Sequence, residues 1–426
     1  MILGSRFAQL VAAALVLTAI GSAALQPGFA RPPDDAEELI PGRMAIRAGR
    51  VIPVVGAPID DGVVLIRDGK IEAVGPASKI SIPRGYELRH YPRGFVTPGW
   101  VELHAHVAGT DLNDMVYPTN PELRNLDNIV PDNRQLRAAR AGGVTTMLFI
   151  PGSGTNISGF GTLVKTAGAT VEEMTIRFPG AMKIAQLGNP ERRVGDVGAT
   201  TMGMNHLIRA RMQEAKRYAE TWQRWEQEQT GEPPQRDERL ENFRGLFAHE
   251  FPVIVHTVWV NGIEATKRLL HDELGLDVIL THATFDAYKA ADVIAEAGMA
   301  VNIGPRLIHY EPESRRVLGI PQLWKAAGCD NLSLCTDCPV IPAEELTTQA
   351  SMAVRFGLDE TIALEAISIV PARQVGMGDR LGSLEPGKDA DIVVRDGPPL
   401  DIRSAVLLTI VNGKNAYDVK IDRRLF

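Results

Sequence analysis

Cysteine is scarce in this sequence: among 426 residues only Cys329, Cys335 and Cys338 are cysteines, all within ten positions. An odd, clustered set cannot make a disulfide framework. Cys335 and Cys338 form a C-x-x-C, a spacing that can bind zinc or cycle redox, but there is no second pair. Small buried side chains near a strand end are the plainer reading. Long runs of Lys and Arg are also missing, and the formal net charge is −7, which argues against nucleic acid as a partner. Beyond the N-terminus no apolar stretch reaches the roughly 18 residues of a membrane span, so the mature chain is expected to be soluble, without a membrane partner. Internal repeats are absent, and the Gly- and Ser-rich stretch 151–161 (PGSGTNISGFG) lacks the lysine of a phosphate-binding loop.

What is present begins with an export pattern. Arg6 precedes the apolar run Leu10 to Ile20, and small residues follow at Gly21, Ser22, Ala23 and Ala24. Residues 1–30 therefore read as a signal peptide, cleaved after Ala24 or after Ala30, with an uncleaved anchor as the alternative. Export to the periplasm or medium is expected. The acidic, Pro-rich stretch 31–42 (RPPDDAEELIPG) reads as a linker.

The whole sequence is 45% hydrophobic and 23% charged, ordinary for a globular protein. Both ends alternate apolar and polar residues, and Asp68-Gly69 between VVLIR and KIEAV signals a two-residue hairpin. The middle changes to short apolar strands alternating with helical stretches. Strands are expected at 100–104, 144–150, 161–165, 180–185, 252–256, 277–281, 299–304 and 331–336. Helices are expected at 133–141, 203–229, 261–273, 286–297 and 342–356. Strands separated by helices imply a parallel sheet closing into a (β/α)8 barrel. The α/β barrel is placed at 97–377, interrupting a small β-sandwich made of 43–96 and 378–426.

The strongest local signal is VTPGWVELHAH, residues 96–106, in which an apolar strand ends in His104-Ala105-His106. Side chains two apart on a strand share a face, so both imidazoles can aim at one point, as metal ligands do. Three more strands end alike: PVIVH at His256, DVILTH at His282 and NLSLCTD at Asp337. Strand ends at the C-terminal mouth supply the active residues of such barrels. A polar residue buried there costs free energy unless paired or bound to metal. Arg306, His309 and Tyr310 (GPRLIHYEP) follow the seventh strand and are candidate substrate contacts. His90, His206, His249 and His271 have no such placement and read as structural or solvated.

With these residues in hand, the chain resembles the amidohydrolase superfamily, in particular its imidazolonepropionase-like and metal-dependent dipeptidase-like branch. GRVIPVVGAPIDDGVVLIRDGKIEAVG is similar to the N-terminal sandwich half, TPGWVELHAH to the first barrel strand and LGSLEPGKDADIVVRDG to the C-terminal half. Three departures stand out. Glu102 replaces a frequent Asp, Val258 replaces a frequent His, and Cys338 follows Asp337 where relatives often carry His. The resemblance implies that His104, His106, His256 and His282 are metal ligands and that Asp337 both binds metal and moves the proton. It also implies a carboxylated Lys183 bridging two ions, with Lys165 as the lesser candidate. Zinc, one or two ions per chain, is the expected cofactor.

The implied activity is hydrolysis of a C–N bond in a small-molecule amide, cyclic amide or dipeptide. Alternatives are ring opening of a cyclic amide, as in imidazolonepropionase, and a non-catalytic exported binding protein on the same scaffold. A homo-oligomer is expected only by analogy with such barrels. N-terminal sequencing of the protein recovered from the periplasm or medium is expected to begin at Leu25 or Arg31; recovery from membranes beginning at Met1 would instead establish the uncleaved anchor.

Overall fold

The computed structural model describes residues 39–110, 113–186, 188–190, 197–198 and 200–422. The expected signal peptide, and the linker up to residue 38, lie outside the described residues. Four strands come first: β1 (Arg43–Val51), β2 (Ile59–Arg67), β3 (Lys70–Pro76) and β4 (Glu87–Pro98). The β2–β3 hairpin turns on Asp68 and Gly69, at φ 50° and 81°. This is the left-handed pair that a two-residue turn requires and that Asp-Gly supplies.

The barrel strands are β5 (Trp100–Ala105), β6 (Val144–Phe149), β7 (Ile157–Lys165), β8 (Thr175–Ala185), β9 (Val253–Thr257), β10 (Val278–His282) and β11 (Ala300–Ile303). After the small antiparallel pair β12 (Ile308–Glu311) and β13 (Arg316–Gly319), β14 (Leu332–Leu334) completes the set. They form one eight-stranded sheet in the order β14-β11-β10-β9-β8-β7-β6-β5. Its edges meet just past the strand ends, where Ala105 bridges Cys338 and the His106 N–H donates to the Cys338 carbonyl at 2.9 Å. Nearly every residue of these strands is buried, as expected of a sheet covered on both faces. Val101, Leu103, Leu148, Leu163, Ile254 and Ile279 share one core cluster.

The outer layer contains the expected helices, including Arg134–Gly142, Thr201–Glu228, Val260–Thr266 running on into Lys267–Glu273, and Leu346–Arg355. Asn133 and Thr200 cap two of them through side chains that accept from Leu136 N and Gly203 N. Among the described residues no helix is long and apolar enough to cross a membrane.

One strand departs from the parallel expectation. β7 pairs antiparallel with both β6 and β8. The physical reason is the short connections on either side: a parallel crossover needs about a dozen residues, whereas only loop 150–156 precedes β7 and the single-turn helix Val171–Met174 lies in the link after it. Reversal sends the last residue of β7, Lys165, to the N-terminal end of the barrel. This removes it from the mouth, so the lesser bridging candidate is corrected.

There Lys165 meets the C-terminal part of the chain. Its Nζ, on a side chain 1% exposed, lies 2.6 Å from Asp391 Oδ2 and 2.9 Å from Asp389 Oδ2. Lys70 and Arg380 also reach Asp389, at 2.6 and 2.8 Å. Beyond this cluster run β15 (Ile392–Arg395), β16 (Val406–Val411) and β17 (Lys414–Asp418). β15 pairs with β4, so both chain ends join one seven-stranded sheet, β17-β16-β15-β4-β1-β2-β3. Ile46 and Val64 from one end share a core with Ile392, Val394 and Ile410 from the other.

Replacing Lys165 by Met is expected to destabilise the fold by about 3–5 kcal/mol, because buried Asp391 loses its counter-charge and Asp389 loses one of its three cations. The triple variant that also carries Asp389→Asn and Asp391→Asn should recover most of that loss. Denaturant titration decides: equal midpoints for wild type and Lys165→Met would show that the cluster contributes nothing.

Candidate metal centre

His104 and His106 leave the end of β5 on the same side, as the two-residue period requires. Their rings stand edge to face, with centroids 5.0 Å apart. Across the barrel, His256 on β9 and His282 on β10 bring His256 Nδ1 and His282 Nε2 to 2.7 Å. Asp337 lies just beyond β14, and its Oδ1 is 3.3 Å from His104 Nε2 and 3.5 Å from His106 Nε2. Lys183, fully buried on β8, places Nζ 3.2 Å from the same His104 Nε2. The structure thus gathers His104, His106, Lys183, His256, His282 and Asp337 at the C-terminal mouth. Donor atoms of His104, His282 and Asp337 all lie within 4.8 Å of one another.

Backbone geometry explains how successive residues reach the centre. Thr281 points inward, since its hydroxyl meets His104 Nδ1 at 2.7 Å. Strand alternation would turn His282 outward, but His282 and Ala283 adopt φ 71° and 47°, and that left-handed kink returns the imidazole to the interior. Asp337 is likewise at φ 53°. Such conformations cost about 1–3 kcal/mol each outside glycine and gather where a side chain must be aimed.

Fit to a divalent ion was tested on the donors themselves. His106 Nδ1 faces the Ile150 carbonyl at 2.9 Å, and His282 Nδ1 faces the Gly304 carbonyl at 2.8 Å. A carbonyl only accepts, so each Nδ1 carries the hydrogen and each Nε2 offers a lone pair inward, the usual outer support of a metal-bound imidazole. Donor separations of 3.3–3.5 Å suit neighbouring ligands on an ion with bonds of about 2.0–2.2 Å. Burial pushes the His104 imidazole well below its ordinary pKa, and the neighbouring Lys183 adds to the fall. Burial brings His282 down to about 4. The Lys183 amine falls to about 7, again through burial, with Asp337 acting in the opposite sense. Uncharged nitrogens are what metal ligation requires, and the residues fit.

Glu102 has a role that its sequence position did not reveal. Fully buried, it accepts from His104 N at 2.8 Å, from Thr336 N at 2.8 Å and from Thr336 Oγ1 at 2.6 Å. Desolvation raises its pKa to about 7, against the lowering effect of those hydrogen bonds. Thr281 and Thr336 were also missed. The signal was a Thr directly before each late-strand candidate, Thr281-His282 and Thr336-Asp337.

The suggested substrate contacts follow β11. Arg306 is exposed, stacks 5.1 Å over the Phe285 ring and donates from Nε to the Ile308 carbonyl at 3.1 Å. His309 lies 6.1 Å from the Tyr288 ring, and Tyr310 is exposed. All three occupy the rim beyond β11. The three cysteines are free and buried, and burial raises the thiol pKa values of Cys335 and Cys338 well above the ordinary range. They pack as small apolar groups. His249 and His271 pair at 2.9 Å with Asp277 and Asp272, at partly exposed positions.

A model of the Amidohydrolase family matches residues 95–421. The amidohydrolase tasK of Hapsidospora irregularis is 26% identical, over 84% of this chain but only 40% of that protein, so the chain spans less than half of that relative's length. The imidazolonepropionase of Brucella anthropi is 25% identical, over 79% of this chain and 87% of its own. Among solved structures, an amidohydrolase from Thermotoga maritima MSB8 superposes with a TM-score of 0.80 at 30% identity, covering 89% of this chain and all of that one.

Glu102→Ala is expected to leave buried N–H groups of His104 and Thr336 without acceptors, at about 1–3 kcal/mol for each unsatisfied group. Thermal melting of the metal-free protein reads the loss; a melting temperature equal to wild type would remove Glu102 from its clamping role.

Proposed function

The chain belongs to the amidohydrolase family, and on that premise we propose that it hydrolyses a C–N bond in a small amide, cyclic amide or dipeptide with the help of a divalent metal. The observation that carries the reading is the convergence of His104, His282 and Asp337 within 4.8 Å at the barrel mouth. His104, His106, His256, His282 and Asp337 would hold the ion, with zinc first in expectation. A bound divalent ion supplies Lewis acidity to a carbonyl and lowers the pKa of water.

The chain's own residues supply the remainder. Asp337, 16% exposed at the junction of His104 and His106, is the one carboxylate of the cluster. It takes a proton from the attacking water and returns it to the leaving nitrogen, first as base and then as acid. Lys183 is fully buried, and burial favours its neutral amine. A neutral amine can add carbon dioxide and release a proton, giving a carbamate whose oxygens suit a second ion. The N-terminal pattern supports action outside the cytoplasm.

Similarity to imidazolonepropionases over most of the chain favours a second reading, opening of a cyclic amide. That reaction keeps the nitrogen and the new carboxylate in one product, so product mass on linear and cyclic amides separates the two: ring opening adds one water without fragmentation, whereas a linear amide yields two products.

Metal content of protein expressed with bicarbonate is the direct test. About two ions per chain supports a carboxylated, bridging Lys183; about one supports the hydrolase without it. No ion after reconstitution with zinc or manganese would sink the reading in favour of a binding protein. Asp337→Asn is expected to lower turnover by about 10²–10⁴-fold while metal is still bound.

A further inference from the structure

The barrel interior contains a column of polar residues. Thr281 on β10, Asn302 on β11 and Ser333 on β14 are all fully buried, where apolar side chains would be expected. They form a hydrogen-bonded row that begins at His104 and ends at Gln374, the last residue of the helix Ile369–Gln374 near the N-terminal end of the barrel. The role of each atom can be worked out from the Gln374 end, without assuming where any hydrogen lies.

One amide atom of Gln374 lies 3.2 Å from the Val301 carbonyl and 3.0 Å from the Asn331 carbonyl. Carbonyls only accept, so this atom is the NH2 and the other is the oxygen. That oxygen is 2.6 Å from Ser333 Oγ, and the Val301 carbonyl is 3.4 Å from it; both only accept, so the single hydrogen of Ser333 goes to this side, the Gln374 oxygen being the nearer. Ser333 Oγ therefore accepts from Asn302, whose nearer amide atom, at 2.8 Å, is the nitrogen. The Asn302 oxygen faces Thr281 Oγ1 at 3.2 Å, so Thr281 donates to it. Having given its hydrogen away, Thr281 Oγ1 can only accept from His104 Nδ1 at 2.7 Å. The Cys335 thiol, 3.9 Å from the Asn302 carbonyl, is a weak donor that leaves these roles unchanged.

We infer that Asn302, Ser333 and Gln374 are positioning residues for His104: their one-way hydrogen-bond chain places the proton on Nδ1 and leaves the Nε2 lone pair facing the metal centre. His106 and His282 have the same orientation imposed by backbone carbonyls. His104 has only a hydroxyl beside it, which could donate or accept, so its orientation is decided three side chains away. The inference rests on reading His104 as a ligand. Gln374 also lines a cavity of about 530 Å³ at the N-terminal end of the barrel, so a change there leaves the packed interior in place.

The test is a long-range 1H–15N correlation of the metal-free full-length protein, with His104 assigned by its loss in His104→Gln. Wild type is expected to show His104 protonated at Nδ1. In Asn302→Leu the Thr281 hydrogen is left with His104 Nδ1 and the weakly accepting Cys335 sulfur, so the proton should move to Nε2. Zinc should then bind about 10–100-fold more weakly by competition titration. Asn302→Asp, which keeps an acceptor for Thr281, should restore the Nδ1 form. If Asn302→Leu does not fold, Ser333→Ala combined with Gln374→Met, which removes both the hydroxyl that Asn302 donates to and its acceptor, is read by the same two measurements and should weaken zinc in the same direction. An Nε2-protonated His104 in wild type overturns the inference, as does a variant with the wild-type tautomer and wild-type zinc affinity. Wild type with His104 protonated at Nδ1 but no zinc uptake would uphold the chain and sink the metal reading instead.

Discussion

Glu102 ties the first barrel strand to the last. Its oxygens take the N–H of His104 from β5 and both the N–H and the hydroxyl of Thr336 beyond β14. The two strands are the edges of the eight-stranded sheet, so this carboxyl group, together with the Ala105–Cys338 bridge, sets where the barrel closes. It also fixes the distance between His104 and Asp337, which come from opposite ends of the barrel sequence and meet at 3.3 Å. A shorter Asp at this position would have to draw the strands together to make the same bonds. The longer side chain fits a closure in which the edges bridge only at their ends.

Around that closure the cluster is held in an electrostatic state that a folded protein ordinarily avoids. Four imidazoles and an amine lie together at or near full burial. Desolvation resolves the conflict by favouring their uncharged forms, as at His104, His282 and Lys183. The bonds to Ile150, Gly304 and Thr281 fix the rings, and left-handed backbone at His282 and Asp337 brings the side chains inward. Aiming and charge suppression have the same origin, which is burial at the strand ends.

The convergence of the candidate ligands was legible because most of them end an apolar run, and strand ends on one side of a barrel share a mouth. His104, His106, His256, His282 and Asp337 carry weight as a set, since the H-x-H alone is a weak signal, and Lys183 is read through the family resemblance. Strand direction was not legible: the apolar run ending at Lys165 reads the same in either sense, and only the lengths of its connections disclose the reversal of β7. The supporting groups were hidden for a different reason. Glu102 and Thr336 are far apart in sequence, as are Thr281, Asn302, Ser333 and Gln374, and nothing in a linear pattern says which buried polar residues will be neighbours. Arg306, His309 and Tyr310 follow β11, and the contacts they make there, with Phe285, Ile308 and Tyr288, were not legible in the linear pattern.

The reversed β7 also bears on the order in which the molecule can be completed. All eight barrel strands are present once the chain has been made as far as Leu334. At that stage Lys165 would be enclosed as a bare ammonium, since Asp389 and Asp391, its buried partners, have yet to be synthesised. Burying an unpaired charge costs several kcal/mol. The barrel is therefore not a self-sufficient unit to which a sheet has been appended: Lys165 in its interior gains its buried counter-charge only once residues 389–391 have been made.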